Sequence, residues 1–340
     1  MKSTQVTIKD LARELNISPS TVSRALKDHP DISPDTKKAV NELAKKLNYH
    51  PNAVALSLRK SKTNTIGVII PEIVHFFFST VISGIEEVAY ASGYNVMVCQ
   101  SNEIYDREVT DTYALLASRV DGMLVSISRE TTNMEHLKEI QDRGVPLVFF
   151  DRVFEGIDAS QVVVDDEKGA YDATCHLIEM GYQDIAHVSG PPGLLISKMR
   201  MNGYKKALQE HNIDVREDLI FEASMGSKEE AYEKIKSKLV NGLKLDAVFA
   251  HSDMCAYGAL LAVQESGMKV PEDCGIVGFS DWQFSAFLNP SLTTVMQPGY
   301  EMGRAAAELF IKESKTEEDV SPEKIVLSTE LIIRDSSKRK

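Results

Sequence analysis

Several polar and charged side chains follow apolar, strand-like runs, at positions where they could bind a small polar molecule. Asp151 comes directly after PLVFF, Ser252 after AVFAH, and the pair Ser280-Asp281 after IVGF. The forked, permanently charged guanidinium of Arg200 suits carboxylates, phosphates and vicinal hydroxyls alike. Each group alone has an ordinary reading, as a strand-end carboxylate or loop cap for Asp151 and as a solvated helix residue for Arg200. They predict a binding site only if the fold brings them together.

A second group could read a nucleic acid. Small polar residues open a short helical segment, PSTVSRA, in which Arg24 could form a fork onto guanine O6 and N7, and Ser20 could donate to or accept from a base edge. Pro19 and Ser23 share the outer face with them. The side chains suited to phosphate contacts are Thr21, Ser23, Lys37 and Lys38.

These residues require a compact helical support. Thr7-Ile8-Lys9-Asp10 has the T-x-x-D capping form and predicts a first helix to about Leu15, closed by Asn16. Ser18-Pro19 and Ser33-Pro34 each predict the start of a further helix, with serine as N-cap and proline at the first position. Two helices joined by a tight turn are typical of a helix-turn-helix, although an ordinary helical hairpin has the same spacing.

The charge of the chain changes sign along its length. Residues 1–62 carry twelve Lys and Arg against six Asp and Glu, a net charge of +6, and the remaining 26 basic and 44 acidic residues give −18. A basic head is attracted to a polyanion that repels the acidic body, although a basic tail without function would show the same asymmetry.

A marginal helix is predicted after Tyr49-His50-Pro51. Asn52 is a possible N-cap, and about eight residues follow before a polar linker, too few for a stable isolated helix. The apolar side chains Val54, Ala55, Leu56 and Leu58 cannot all be hidden on one strip, which favours ordering when two copies meet on DNA. A leucine placed in the minor groove could separate two base steps and bend the duplex.

From Thr65 onwards, apolar strands alternate with amphipathic helices in two successive sets. The first set includes TIGVII, YNVMVC, GMLVSI and PLVFFD, and the second includes VVVDD, IAHVSG, LIFEAS, AVFAHS and IVGFSD. Repeated β-α units predict parallel sheets covered on both faces. Two such lobes favour a hinged pair with a ligand in the cleft, at the carboxyl ends of the strands.

Composition and motifs exclude several classes of protein. No apolar run is long enough to span a bilayer and the N-terminus has no secretory segment, which predicts a cytoplasmic protein without membrane contact. The four cysteines have no metal-ligand spacing and are expected to be reduced thiols, mostly in the core. No nucleotide-binding, zinc-protease or serine-hydrolase motif is present, so neither an enzyme nor a cofactor is expected.

The run from Thr7 to Arg59 resembles the DNA-binding headpiece and hinge of the lactose-repressor (LacI/GalR) transcription regulators, above all in TVSR followed by NYHPNAVALSL. The resemblance extends over essentially the whole chain. It implies a helix-turn-helix headpiece at 1–50, a hinge helix and linker at 51–62, and an α/β, two-lobed effector domain at 63–340 with parallel sheets, similar to type I periplasmic binding proteins. A secreted binding protein would have no use for the headpiece.

The resemblance also implies roles for individual residues. Pro19, Ser20 and Arg24 match base-facing positions, and Leu58 matches a leucine inserted at the centre of a palindromic site. The full predicted DNA-binding set is Thr7, Ser18, Pro19, Ser20, Thr21, Ser23, Arg24, Asn52, Val54, Ala55 and Leu58. In the body, lobe one is expected at about 63–160 plus 292–322, and lobe two at about 161–291 plus 323–340.

The predicted effector-binding set is Phe77, Phe78, Asp151, Arg200, Ser252, Ser280 and Asp281. Asp253 is expected to cap a helix, and Trp282 lines the mouth of the cleft or lies in the core. Ser280 departs from the family pattern, in which many members have aspartate, so an effector that needs that carboxylate is in doubt. No leucine heptad follows LIIRD. We therefore expect a homodimer that binds double-stranded operator DNA, mostly as a repressor, under control of a carbohydrate-like effector.

Overall fold

The computed structural model describes residues 6–49, 62–74, 76–315 and 321–339. The chain divides between Thr63 and Asn64 into two compact units. In the described ranges, no helix combines the length and the apolar character that a membrane crossing requires. The predicted hinge residues Asn52, Val54, Ala55 and Leu58 lie outside these ranges.

Within residues 6–49, the first unit contains three helices, α1 (Ile8–Glu14), α2 (Pro19–Ala25) and α3 (Pro34–Lys46). Serine caps α2 and α3 as the sequence predicts: Ser18 Oγ accepts from the Thr21 amide at 3.1 Å, and Ser33 Oγ accepts from the Thr36 amide at 3.3 Å. The apolar stripes of the three helices form one small core of Leu11, Ala12, Val22, Ala25, Val40 and Ala44.

The turn between α1 and α2 depends on a left-handed residue. Asn16 has φ of 52°, a conformation that asparagine adopts more readily than most residues. It lets the Ile17 amide donate to Ala12 O at 3.0 Å, which closes the end of α1. This short closure directs the chain straight into α2 and so determines the angle between the two helices.

The second unit is built on two six-stranded sheets. In chain order the strands are β1 (Thr65–Ile70), β2 (Asn95–Gln100), β3 (Gly122–Val125), β4 (Leu147–Phe150), β5 (Ser160–Val164), β6 (Ile185–Ser189), β7 (Ile220–Glu222), β8 (Ala247–Ala250), β9 (Gly275–Ser280), β10 (Thr293–Met296), β11 (Lys324–Leu327) and β12 (Glu330–Ile332). The strand order is β11-β5-β4-β3-β1-β2 in the first sheet and β12-β10-β9-β8-β6-β7 in the second. All pairs are parallel except β10 with β12. We call the part built on the first sheet lobe one and the other lobe two.

Helices cover both faces of each sheet, as repeated β-α units require. They are α4 (Phe76–Ala91), α5 (Tyr105–Ala117), α6 (Glu135–Asp142), α7 (Asp166–Glu179), α8 (Leu195–Glu210), α9 (Lys228–Val240), α10 (Asp253–Glu265) and α11 (Gly299–Lys315). On lobe one, α4 and α11 pack backbone to backbone, because a Cβ at Gly84 would collide with Tyr300 O and one at Gly303 with Val81 O.

The chain crosses between the lobes three times, and each crossing lies later than predicted. The crossings fall between Val164 and Asp166, between Met296 and Gly299, and between Leu327 and Glu330. Strands β5 and β11 therefore belong to lobe one, although 161–291 and 323–340 were assigned to lobe two, and β10 belongs to lobe two. The error has a simple cause: an apolar run predicts a strand but does not show which sheet supplies its neighbour.

Candidate functional site

In the first unit, the start of α2 presents a small polar surface. Ser18 Oγ lies 2.7 Å from Ser20 Oγ and 2.8 Å from Thr21 Oγ1, so the cap also orients these two hydroxyls. Pro19 and Ser20 are exposed, whereas Thr21 and Ser23 are half-buried. The helix turns Val22 and Ala25 into the core, which places its polar face outward.

Arg24 is exposed on the same helix and has no side-chain hydrogen bond or ion pair with a described residue. Lys38 is exposed as well. Lys37 differs from them, because its ammonium lies 2.7 Å from Asp28 Oδ1 and lowers the pKa of that carboxyl. Of the cations predicted to meet DNA here, Arg24 and Lys38 are thus the more available.

Thr7 lies at the start of α1 and forms the predicted capping arrangement. Its amide donates to Asp10 Oδ2 at 2.9 Å and its hydroxyl to the same oxygen at 2.7 Å. These hydrogen bonds lower the pKa of Asp10. Thr7 therefore has a structural role that is independent of any contact with DNA.

In the second unit, a cavity of about 440 Å³ lies between the two lobes. All the predicted effector residues except Asp281 line it. They come from the carboxyl ends of strands and from the first two turns of helices, which is where an open α/β fold binds ligands. The lining residues used below are Phe77, Phe78, Glu103, Arg129, Asp151, Arg152, Arg200, Met225, His251, Ser252, Ser280, Trp282 and Gln297.

Asp151 lies at the end of β4 on lobe one and is only 6% exposed. It has φ of 59° and a backbone amide that donates to Val162 O at 3.0 Å, so its side chain leaves the strand direction. Gln297 Nε2 donates to Asp151 Oδ1 at 3.4 Å, and Arg152 Nε lies 3.9 Å from Oδ2. Burial raises the pKa of Asp151 to about 6, against the opposing charge of Arg152. A carboxyl in this state accepts hydrogen bonds from hydroxyl groups when ionised and donates one when protonated.

Arg200 faces the cavity from α8 on lobe two and is 3% exposed. Its Nε donates to Asp166 Oδ1 at 2.8 Å and its Nη1 to His251 O at 2.6 Å. The guanidinium carbon lies 3.6 Å from the centre of the Phe279 ring. Burial raises the pKa of Asp166, although the adjacent guanidinium acts against it. The arginine is therefore a rigid, oriented donor and not a solvated helix residue.

Aromatic rings form an apolar wall. The structure places Phe77 and Phe78 in the first turn of α4, which begins at Phe76, and their ring centroids are 5.3 Å apart in an edge-to-face pair. Trp282 is half-buried, lines the cavity from lobe two and meets Phe284 edge to face at 5.3 Å. Trp282 thus belongs to the cleft. Rings of this kind suit the apolar faces of a ligand such as a sugar.

The roles expected of Ser252 and Asp253 are changed. Ser252 caps α10 by accepting from the Cys255 amide at 3.3 Å, in addition to lining the cavity. Asp253 is fully buried, and its Oδ2 accepts from the Trp282 amide at 2.8 Å and from Ser285 Oγ at 2.7 Å. The prediction that Asp253 caps the helix was wrong, because its carboxylate turns inward and holds the Trp282 segment in place.

Ser280 and Asp281 diverge at the end of β9. Both have positive φ, 117° and 54°, which sends successive side chains in different directions. Ser280 Oγ donates to Gln297 Oε1 at 2.9 Å inside the cavity. Asp281 instead pairs with Arg334 at 2.8 Å and does not line this cavity, so its assignment to the effector site is not supported.

The cavity residues that escaped the sequence analysis include Glu103, Arg129, Arg152 and Gln297. Arg152 Nη1 donates to both oxygens of Glu103, at 2.9 and 2.8 Å. Burial alone would raise the pKa of Glu103, but the charge of Arg152 and the Arg129 amide hold it below its ordinary value. Glu103, Arg129 and Arg152 follow the ends of their strands by a few residues, and we applied this signal only to residues adjoining the strands. Gln297 directly follows β10, in a crossing between the lobes.

His251 adds a neutral group to the cavity. Burial, followed by the charge of Arg200, lowers its pKa well below the ordinary value, and its Nδ1 has no partner among the described residues. The cavity therefore combines fixed cationic donors, a carboxyl of intermediate pKa, amide and hydroxyl groups, and aromatic walls. This combination suits a small polar molecule that offers both hydrogen-bonding groups and apolar faces.

Comparison with known families matches both units. Residues 7–52 match the family described as bacterial regulatory proteins, lacI family, and residues 174–337 match the periplasmic binding protein-like domain. The protein is similar to the ribose operon repressor of Halalkalibacterium halodurans, with 34% identity over 98% of this chain and 97% of the relative.

Two solved structures have the same organisation. A lac repressor dimer bound to operator and an anti-inducer has a TM-score of 0.86 and 25% identity, over 98% of this chain and 99% of that one. A complex of the regulator CelR with cellobiose has a TM-score of 0.75 and 27% identity, over 98% and 100% of the two chains. These relatives are regulators of transcription and not enzymes. The protein is a member of the LacI family of DNA-binding transcriptional repressors.

Proposed function

We propose that this repressor binds a palindromic operator as a homodimer and that a sugar or sugar derivative, bound between the lobes, sets its affinity for that operator. The observation that carries the proposal is the convergence of Asp151, Arg200 and the Phe77-Phe78 pair on one cavity. Carboxyl and guanidinium groups bind vicinal hydroxyls, and the rings cover the apolar faces of the same molecule. Relatives named for ribose and cellobiose support this class of ligand.

The charges that line the cavity indicate that the effector has no strong net charge. The side chain at Ser280 is neutral and its hydroxyl donates to Gln297, whose amide in turn donates to the Asp151 carboxyl. Arg152 is paired with Glu103, Arg200 with Asp166 and Lys228 with Glu229, so most of the cations that line the cavity are compensated. A neutral ligand matches this balance better than a strongly charged one.

In the headpiece, we assign Pro19, Ser20 and Arg24 to base edges and Ser18, Thr21, Ser23 and Thr7 to phosphate contacts. The assignment is supported by the exposure of Ser20 and Arg24 on one face of α2. A recognition helix in the major groove reads bases with side chains near its N-terminus, and one such helix from each protomer reads one half-site. Leu58, with Asn52, Val54 and Ala55 of the predicted hinge, is assigned to the centre of the operator.

The homodimer is assigned to the face of lobe one that carries β2. This strand is the edge of the first sheet and pairs only with β1 among the described strands. Large apolar side chains are exposed on and near it: Ile73 at 51%, Val74 at 76%, Tyr90 at 84% and Met97 at 41%. An exposed apolar group of this size on a parallel sheet is typical of an interface. The dimeric lac repressor structure supports a second copy as its occupant.

The test is selection of binding sites by the full-length chain from a random duplex pool, with the enriched duplexes re-measured at several salt concentrations. We expect enrichment of two inverted half-sites around a deformable central step. A panel of pentoses, hexoses, disaccharides and their phosphates is then added to the selected duplex. If no duplex sequence is enriched, either without or with this panel of sugars, operator-specific repression would be contradicted.

A further inference from the structure

One hydrogen bond between described residues joins lobe one directly to lobe two at the effector cavity. Arg129 follows β3 on lobe one, and its Nη1 donates to the backbone oxygen of Met225 at 2.9 Å. Met225 lies between β7 and α9 on lobe two, and both residues line the cavity. The bond therefore spans the gap that must widen when the ligand leaves.

On lobe one, buried carboxylates hold the segment that carries the arginine. Glu108 is fully buried and accepts from the Ser128 amide at 2.5 Å and from the Ser128 hydroxyl at 2.8 Å. The same carboxylate accepts from Thr131 Oγ1 at 2.9 Å and lies 2.8 Å from His136 Nε2. Glu103 accepts from the Arg129 amide at 2.8 Å. The backbone on both sides of Arg129 is thus immobilised.

On lobe two, another carboxylate holds the acceptor. Glu230, on α9, accepts from the Ser224 amide at 3.1 Å and from the Met225 amide at 2.8 Å. The preceding Ala223 amide donates to Ser189 O at 2.9 Å, and Gly226 turns the chain with φ of 63°. The Met225 carbonyl therefore has a defined direction before any ligand binds. Donor and acceptor are both pre-oriented, which lowers the entropy lost when they meet.

Apolar contacts between the lobes differ in character from this hydrogen bond. Leu194 and Ile196, at the start of α8, pack into the apolar cluster of lobe one with Val153 and Ile157. Because apolar packing is not directional, these buried contacts can persist when the angle between the lobes changes. The Arg129–Met225 bond lies at an exposed rim, where Met225 is 56% exposed, and water replaces it at little cost. It is weak enough to open and specific enough to favour one closed geometry.

We propose that Arg129 is a latch, a positioning residue that holds the lobes closed and thereby sets how long the effector stays bound. The inference rests on the proposed effector cleft but concerns its closure and not its ligand. Arg129 acts here on the opposite lobe, through the Met225 carbonyl. Direct contact of its guanidinium with the ligand is the competing outcome.

The test measures closure without any effector. Spin labels at Arg107→Cys on α5 and Glu233→Cys on α9, both exposed, report the distance between the lobes by double electron–electron resonance. Cys99 and Cys175 are only partly buried and are replaced by alanine. The distance distribution of the labelled Arg129→Met variant is compared with that of the labelled chain that retains Arg129. The matched control is Arg143→Met, since Arg143 pairs with Glu139 on lobe one and touches no part of lobe two in a described contact.

We expect Arg129→Met to lower the ratio of closed to open populations about three- to tenfold, as loss of one hydrogen bond would. Arg143→Met leaves the distribution unchanged. Glu230→Ala loosens the acceptor and lowers the same ratio, but it adds little to Arg129→Met because both remove one bond.

If the interlobe distance distributions of Arg129→Met and the parent chain coincide, the proposal that Arg129 holds the lobes closed is wrong. Additive effects of Arg129→Met and Glu230→Ala would do so as well, because independent sites do not share a bond. A failure of the effector assignment has a different signature, namely an intact sugar response after substitution of Asp151 or Arg200. The two failures are therefore distinguishable.

Discussion

The two units of this repressor present the side chains that we assign to binding in opposite ways. On α2 of the first unit, Ser20 and Arg24 are exposed, and Arg24 has no side-chain partner among the described residues. In the second unit, Asp151 and Arg200 are 6% and 3% exposed and lie within hydrogen-bond networks. A surface that binds a polyanion gains from charges that are free to meet phosphates and bases. A cleft that distinguishes small molecules gains from groups that are already oriented and desolvated.

The difference implies that binding and stability are separable in the first unit and coupled in the second. Removing an exposed, unpaired side chain leaves the folded state nearly unchanged. Removing one member of a buried pair leaves the other member as an unpaired buried charge. The four predictions below test this contrast.

Arg200→Met has the largest expected effect. It strands the buried Asp166 carboxylate, so we expect the free energy of unfolding of the second unit to fall by about 3–5 kcal/mol and the effector response to disappear. Urea unfolding followed by Trp282 fluorescence measures this, because Trp282 is the sole tryptophan and lies in that unit. Lys206→Met on the same helix is the control, with the lysine side chain 55% exposed.

A second variant separates the two consequences of losing Arg200. Adding Asp166→Asn to Arg200→Met removes the stranded charge, so most of the stability returns while the response stays absent. Equal stability of Arg200→Met and Lys206→Met would show that the buried pair is not coupled to folding.

Asp151→Asn tests the same coupling through pH. Burial raises the pKa of Asp151 from 3.8 to about 6, so between these values the folded state holds a proton that the unfolded state has released. The free energy of unfolding of the parent chain, relative to Asp151→Asn, therefore falls as the pH rises from about 4 to about 6, by an amount on the order of 2 kcal/mol. Urea titrations at a series of pH values measure it. A difference that grows with pH in this window would be inconsistent with a desolvated carboxyl.

Arg24→Ala tests the first unit. We expect affinity for the selected operator to fall about 10- to 100-fold, with weaker discrimination at one base pair, while stability changes by less than about 0.5 kcal/mol. Fluorescence anisotropy with labelled duplexes gives the affinities. Lys45→Ala, near the end of α3, removes the same charge from an exposed site and serves as control. Equal losses for the two variants on every duplex would reduce Arg24 to a general phosphate contact.

Ser18→Ala and Ser20→Ala give the smallest and finest comparison. Ser18 caps α2, so its replacement is expected to cost about 1 kcal/mol of headpiece stability. Ser20 has no capping role, and its replacement is expected to change stability by less than about 0.5 kcal/mol while weakening operator binding. Hydrogen exchange of the α2 amides detects the difference. If Ser20→Ala destabilised the headpiece more than Ser18→Ala, the assignment of Ser18 as the helix cap and Ser20 as a base contact would be contradicted.

Much of this organisation could be predicted from local signals. The serine caps at Ser18 and Ser33 were predictable because a cap depends on residues three positions apart. Strands such as β1 and β9 were predictable because their apolar runs are continuous. The two-lobed arrangement followed from the repetition of strand and helix.

The rest depended on contacts between distant residues. Which sheet receives β5, β10 or β11 depends on neighbours far along the chain. The turn of Asp281 towards Arg334 depends on positive φ at two successive residues, which neither residue type requires. Gln297 lies in a crossing between the lobes, and nothing in its neighbourhood marks it as the residue that contacts both Asp151 and Ser280.

The central claim is that a molecule bound in the interlobe cavity changes operator affinity. Its most direct test is the operator Kd of the full-length chain with and without each member of the sugar panel, measured in parallel for Arg200→Met and Lys206→Met. We predict that at least one sugar shifts the Kd of the parent and of Lys206→Met by about 5- to 150-fold, and leaves that of Arg200→Met unchanged. An equal shift in Arg200→Met, or no shift by any member of the panel, would contradict the account.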